Sequence, residues 1–267
     1  MTAQESFGIY DHDSLQYHFF CGDVVGAARL FFTRTLQHAS MWVFDGASYR
    51  EFQSADQVYD SNAQSHLNVQ AGGLSFSGSD DLIEITPQEK GGDGECRVRL
   101  TPRHELRWSD TISTVIHQPN MQVELRLDGK SLDGIGYCKR YGWTPAPSHW
   151  GYRFIQGFLE GGEISVWTAE ATFGLEKYDY FKMLMPDGEI VTTPDDVSCH
   201  RQNGAQAISS IGPIQIELEP LSVWDHTLES DAMNSRMRQR ACRLVVRSPL
   251  WEKRGFAINE TCYGTLG

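Results

Sequence analysis

No stretch of this chain stays apolar for the roughly 18 residues that a helical membrane span requires. The segment Met1 to Tyr10 has neither a basic n-region nor an apolar h-region, so the expectation is a cytoplasmic chain without a secretory signal. The six cysteines (Cys21, Cys96, Cys138, Cys199, Cys242, Cys262) are dispersed, with no Cys-x-x-Cys pair. That pattern argues against a disulfide framework and predicts reduced core thiols. Positive charge is scarce, with 23 Lys and Arg against 35 Asp and Glu and a net charge of −12. Nucleic acid is therefore not an expected partner, because phosphate binding needs clustered cations. The one basic concentration, Arg236, Arg238, Arg240, Arg243 and Arg247, has near-alternate spacing and reads as the wet face of a strand rather than a phosphate site. A Walker loop, a dinucleotide fingerprint and zinc spacing are all missing, so neither cofactor nor metal is expected.

What is present is turn chemistry and aromatic bulk: 25 glycines, ten prolines and 11% aromatic residues. The stretch 123–143, VELRLDGKSLDGIGYCKRYGW, organises the rest. Val123, Leu125 and Leu127 alternate with Glu124, Arg126 and Asp128, the period of a strand with one buried face. Asp128-Gly129 supplies the positive-φ residue of a tight hairpin, and Asp133-Gly134 offers the same signal again. Gly134 and Gly136 lie on one face of a strand, where they admit close approach or a sharp bend.

Short strand patterns recur along the chain: QYHFF, ARLFFTRTL and SMWVF within 16–52, then GLSFSG, DLIEIT and CRVRLTP after a polar stretch at 53–73 that reads as a long loop. Helical periodicity is poor, and the best helix candidate is Ser230 to Arg240. The order repeats in the second half. Cys96 to Pro102 returns as Cys242 to Pro249, Phe44-Asp45-Gly46 returns at Met185 to Gly188, and the glycine strand at 134 returns at Gly255 to Gly264. Three matches in one order favour a duplicated β domain of about 130 residues per copy. A single β-sandwich with chance echoes is the alternative. Many short antiparallel strands in each copy suggest barrels or strongly curved sheets that close off their own edges.

At this point the chain resembles the tandem-lipocalin (calycin-like) family, which includes carotenoid hydratases and fungal lipocalin-like Diels–Alderases. The resemblance rests on Asp128-Gly129 with Gly134-Ile135-Gly136-Tyr137, on Trp143 to Trp150-Gly151-Tyr152, on Asp187-Gly188, and on Gly255 to Gly264 with Glu260. It implies an all-β protein of two lipocalin-like antiparallel barrels, residues 1–140 and 141–267, packed together as a tandem repeat. It also implies cofactor-free hydration, cyclisation or pericyclic closure of an apolar terpenoid or polyketide-type molecule, in a pocket within or between the barrels. One departure stands out. Where the hydratases carry an Asp-His pair after Gly-x-Gly-Tyr, this chain has Lys139-Arg140, and neither residue supplies a carboxylic acid that protonates an alkene.

Several residues then have two readings each. Arg140 either donates a bidentate hydrogen bond to a developing anion or pairs with one of the chain's own acids. Glu260 is either a pocket carboxylate working as acid or base or a solvated strand residue. His149 and His18 are proton-shuttle candidates near neutral pH, with a satisfied structural role as the alternative. Tyr17 and His18 are matched to His149–Arg153 in the repeat. Tyr17, Tyr137, Trp143, Trp150, Tyr152, Trp167, Trp224 and Tyr263 offer flat faces to a polyene or ring system, or fill the core. Asp11-His12-Asp13 reads as a surface loop rather than a metal site, and Trp224-Asp225-His226 lacks a nucleophile in an elbow. A cyclase, isomerase or lyase on carbon–carbon double bonds is the first functional expectation. A non-catalytic carrier of a lipophilic molecule is the second.

Overall fold

The computed structural model describes residues 10–33, 37–54, 68–71, 73–79, 81–87, 95–109, 113–159, 164–185, 187, 189–194, 197–202, 205–210, 214–230 and 233–266. Among these residues every regular element is a strand. The chain divides into two compact units, Met1–Ala146 and Pro147–Gly267, so the boundary falls beyond residue 140.

The first unit contains β1 (His12–Cys21), β2 (Val24–Thr33), β3 (Gln37–Phe44), β4 (Tyr49–Ser54), β5 (Asn68–Ala71), β6 (Leu74–Ser79), β7 (Leu82–Pro87), β8 (Cys96–Thr101), β9 (Leu106–Ser109), β10 (Ser113–Leu127) and β11 (Lys130–Trp143). Their order in the sheet is 4-3-2-1-11-10-8-7-6-5, with β9 continuing along β10 beside β8. β3 and β4 approach β6 from the opposite edge, so the sheet curls toward closure. The second unit contains β12 (His149–Leu159), β13 (Ile164–Phe173), β14 (Glu176–Leu184), β15 (Ile190–Pro194), β16 (Val197–Gln202), β17 (Ala205–Ser210), β18 (Gln215–Ser230), β19 (Met233–Arg247) and β20 (Glu252–Leu266). Its order is 15-14-13-12-20-19-18-17-16, and β13 and β14 approach β16 in the same way. The two orders are the same path. In each unit the first strand pairs antiparallel with the last, β1 with β11 and β12 with β20. The all-β, duplicated-barrel expectation is therefore met.

Local chemistry explains the punctuation. Asp128 and Gly129 take φ of 52° and 75° at the β10–β11 hairpin, as a two-residue turn requires. Asp45 Oδ1 accepts from the backbone N–H groups of Ala47 and Ser48, and Asp187 Oδ1 accepts from that of Glu189, so the β3–β4 and β14–β15 turns share one device. Asp133-Gly134, by contrast, is not a turn and lies inside β11. A Cβ on Gly134 would overlap the carbonyl oxygen of Phe20, and one on Gly255 would overlap that of Phe158. The two glycines are the same joint in the two repeats.

Three expectations need correction. Ser230–Arg240 is not a helix but the end of β18, residues 231–232, which are not described, and the first part of β19. Its buried alternate residues are Met233, Ser235, Met237, Gln239 and Ala241, and their mixed polarity disguises a period of two. Part of the polar stretch at 53–73 is strand β5, while residues 55–67 lie outside the described residues. The match of Cys96 with Cys242 is chance, because β8 has its counterpart in β18 whereas β19 corresponds to β10.

Each curled sheet is filled by its own side chains. Phe19, Leu30, Met41, Leu74 and Phe76 are among the fully buried residues of the first unit. Ile155, Leu159, Val166, Leu244 and Val246 serve the second. Burying a side chain of that size contributes ~1.5–3 kcal/mol. Cys21, Cys96, Cys138, Cys242 and Cys262 are buried. Burial raises the thiols of Cys21 and Cys242 to about 12.

Candidate functional site

Alternation sorts the candidate residues onto two faces of each sheet. In β1 all ten residues are buried, so both faces are covered. Asp13, Leu15, Tyr17 and Phe19 face the core, opposite Gly142, Arg140, Cys138 and Gly136 of β11. His12, Ser14, Gln16, His18 and Phe20 point away from it, beside Trp143, Tyr141, Lys139, Tyr137 and Ile135.

On the core face Arg140 meets Asp13. Nε and Nη2 of the guanidinium donate to the two carboxylate oxygens at 2.9 and 2.7 Å, with both side chains buried. The bidentate pair closes one end of the first barrel, and the Tyr10 ring lies 5.8 Å from the guanidinium carbon. Asp13 is thus neither surface nor loop, and Arg140 holds one of the chain's own acids. One layer deeper, Tyr17 and Cys138 face each other, and burial raises the Tyr17 hydroxyl well above its usual range.

The opposite face carries more titratable groups. His117 of β10 stands beside Lys139 across the strands, and its Nδ1 shares a hydrogen bond with the Tyr137 hydroxyl. His18 stacks on Tyr137 with ring centroids 6.1 Å apart. The Lys139 ammonium lies 6.0 Å from the Tyr141 ring centroid. His18, His117, Tyr137 and Lys139 are at most 1% exposed. His12 belongs to the same face. Burial, reinforced by the Arg29 charge, lowers its imidazole to about 3. Sequence reasoning picked His18 and Tyr137 from this group but missed Lys139 and His117. The signal was available: in a strand, Lys139 and Arg140 must face opposite ways.

In the second unit the same sorting places Ile155, Gly157 and Leu159 toward the core, and Trp150, Tyr152, Phe154, Gln156 and Phe158 away from it. Glu260 is on the latter face, opposite Phe154 on one side and Gln239 on the other. It is fully buried. The Tyr152 hydroxyl donates to Glu260 Oε1 at 2.5 Å, and Gln239 Nε2 donates to Oε2 at 2.6 Å. The solvated reading of Glu260 is thereby overturned. Tyr152 also stacks on Phe173 at 6.2 Å. Gln156, fully buried, occupies the next position along the face, and neither of its amide atoms has a hydrogen-bond partner among the described residues. Gln239 and Gln156 were not foreseen, since a glutamine in a strand has no sequence signature of its own.

The remaining candidates are dispersed. Trp150 packs over Gly264. Trp224 stacks parallel to His226 at 5.2 Å, while the intervening Asp225 turns to the other face and pairs with Arg238. His149 is exposed at the start of β12, beside Ser148 Oγ. Tyr263 is 58% exposed. Trp167 lies on β13, with its side chain outside the described residues. Anchoring the repeats on Gly134 and Gly255 pairs Lys139 with Glu260, His117 with Gln239, His18 with Gln156 and His12 with Trp150. The expected match of Tyr17 and His18 to His149–Arg153 is therefore displaced along the strand.

No family model matches the chain, and no curated protein is similar to it in sequence. Solved structures are similar to it in fold. A protein of Nitrosomonas europaea described as an AttH has a TM-score of 0.66 at 15% identity, covering 95% of this chain and 93% of that one. Kievitone hydratase from Nectria haematococca has a TM-score of 0.64 at 9% identity, covering 96% and 90%. CghA, solved also with Sch210972, has a TM-score of 0.57 at 9% identity, covering 98% and 93%. Over nearly its whole length, this chain has the tandem-lipocalin fold.

Proposed function

We propose that the protein is a cofactor-independent enzyme of the hydratase or cyclase type, acting on an apolar, conjugated small molecule of terpenoid or polyketide character. The observation that carries this reading is Glu260, a fully buried carboxylate bonded to Tyr152 and Gln239 on a face that also bears Trp150, Phe154 and Phe158. Burying a charge among apolar side chains costs several kcal/mol even when it is paired, and such sites are where acid–base groups are found. Gln156 adds to it, since an unpaired buried amide costs ~1–3 kcal/mol until a ligand or water bonds to it. Tyr152 and Gln156 are both diagonal neighbours of Glu260 across the β12–β20 pair, and stand ~13 Å from each other along β12. An extended substrate can therefore bond to Gln156 at one end while Tyr152 meets its reacting atom at the other.

In this reading Tyr152 relays protons. Its phenol oxygen takes a proton from the substrate as its own proton passes to Glu260 Oε1, and the reverse transfer delivers a proton elsewhere on the carbon skeleton. Isomerisation, proton-initiated cyclisation, elimination and water addition all share that exchange. Gln239 holds the carboxylate in place through Oε2. The hydratase in kievitone hydratase's name and the fold it shares with this chain agree with such chemistry. The carrier reading has less behind it, because holding an apolar ligand requires no buried carboxylate, and Glu260 is fully buried.

The test is to incubate the protein with a panel of terpenoid and polyketide-type molecules in deuterated water and to analyse the products by mass spectrometry. Isomeric or water-adduct products that carry deuterium, lost in Tyr152→Phe and Glu260→Gln, are expected. Unchanged compounds that co-purify with the protein would favour the carrier instead.

A further inference from the structure

The row of arginines on β19 is divided between two faces. Arg243 and Arg247 lie on the face turned away from the second unit's core. Arg236, Arg238 and Arg240 lie on the face that continues directly into Cys242, Leu244 and Val246 of the core. They therefore line the inside of the curled sheet, beyond the end of its packed interior, and are not simply a wet outer face. Arg153 joins them from β12. The register sets Arg153, Thr261, Arg238 and Asp225 side by side on four adjacent strands, with Gly151, Tyr263, Arg236 and Thr227 in the next row outward.

Apart from Gly151, these residues line a cleft of about 460 Å³, within the size range of small-molecule sites. Four guanidinium groups and one carboxylate line it, in a chain whose net charge is −12. The carboxylate, Asp225, holds Arg238 in a fork-to-fork pair, so that guanidinium is already oriented. Gly151 pairs with the lining residue Tyr263, and a Cβ built on it would meet nothing within 4 Å, so there is open space beside that rim of the cleft.

The first repeat shows what occupies that place. By the glycine anchor Asp13 of β1 is the counterpart of Gly151, and Arg140 of β11 the counterpart of Thr261. In the first unit a carboxylate side chain fills this end of the barrel and is gripped by an arginine. In the second unit the carboxylate is replaced by glycine and the cations have multiplied. We infer that this end of the second barrel is a binding site for a small organic carboxylate, whose acid group takes the place that Asp13 fills in the first repeat. Planar guanidinium forks match carboxylate geometry, and the Tyr263 ring offers a flat face to the body of the ligand. The site is separate from Glu260, which lies on the other face of the same sheet, so the inference does not depend on the catalytic reading.

The experiment titrates the intact protein with benzoate, and with benzamide as the uncharged isostere, by ligand-observed NMR. Benzoate is expected to bind and benzamide to bind at least tenfold more weakly, with benzoate affinity falling as salt rises. Arg153→Gln with Arg240→Gln should weaken benzoate at least tenfold. Gly151→Asp, whose side chain enters the open space beside Tyr263, should do the same by supplying an internal competitor, while Gly151→Ala retains binding. Circular dichroism confirms that each variant is folded, and Gly151→Asp decides the matter if the arginine variants are not. No binding of benzoate, equal binding of benzamide, or full binding by a folded Gly151→Asp variant would overturn the inference.

Discussion

Lys139 and Glu260 occupy the same position in the two repeats, each five residues beyond the glycine that lets its strand approach its neighbour, and each buried on the face away from the core. The two repeats thus bury an ionisable side chain at one position, an amine in the first and a carboxyl group in the second. The surroundings changed with it: Lys139 has His117 beside it, and Glu260 has Gln239. An amine beside an imidazole and a carboxyl group between a phenol and an amide are different chemical tools on one scaffold.

The glycine joints are expected to tolerate no side chain. Gly134→Val and Gly255→Val should each destabilise the protein by well over the ~1 kcal/mol of a propensity change, because each Cβ would strike a carbonyl oxygen of the neighbouring strand. Gly151→Ala, with open space around it, is the control and should melt close to the parent. Urea unfolding of the three variants measures this.

The Asp13–Arg140 pair should reveal itself through single and double substitution. Arg140→Met strands a buried carboxylate and is expected to cost about 3–5 kcal/mol. Adding Asp13→Leu should recover much of that loss, since two apolar side chains leave no charge unpaired. Denaturant midpoints decide it: a double variant as unstable as the sum of the two singles would mean that the pair is not coupled.

Tyr152 and Glu260 should also be coupled. Tyr152→Phe removes a donor from a buried oxygen and is expected to cost ~1–3 kcal/mol of stability. Glu260→Gln should remove most of the penalty of adding Tyr152→Phe, giving a coupling energy of about 0.5–3 kcal/mol. On any substrate found, each single variant should lower turnover at least about tenfold, equivalent to ~1.4 kcal/mol.

Acid should weaken the fold through His12. Its folded imidazole is lowered from 6.5 to about 3, chiefly by burial. Between those values the unfolded chain binds a proton that the folded chain refuses. Stability from this residue is therefore complete above pH 6.5 and is lost as the pH falls toward 3, with a slope of up to ~1.4 kcal/mol per pH unit. His12→Gln should flatten the dependence of the urea midpoint on pH in that window. An unchanged slope would assign the acid sensitivity to other groups.

Most of the architecture was legible because its signals are local. The Asp128-Gly129 turn, the alternation of β10 and the glycine strands each follow from a few adjacent residues. β19 was misread at its start because a buried face made of Met233, Ser235, Met237 and Gln239 has no clear polarity contrast. The site was less legible. Glu260 was selected for its position after a glycine strand, but its partners Tyr152 and Gln239 are 108 and 21 residues away in sequence. Arg140 was selected by the same argument, and only the cross-strand register shows that Asp13 meets it. Adjacent residues such as Lys139 and Arg140 look like a pair in sequence, although pleating sends them to opposite sides of the sheet.

The pairing of first strand with last has a consequence for how the chain is made. β1 finds its partner β11 only after nearly the whole first unit has been synthesised. Until then one edge of β1 is open, with its backbone donors and acceptors waiting while the intervening strands form hairpins in turn. The same interval recurs between β12 and β20. Contacts so distant in sequence are slow to form, and an open edge invites pairing with another chain. The ribosome therefore exposes this protein twice to the hazard of intermolecular strand exchange, each time ending when a glycine-jointed strand arrives to seal the sheet.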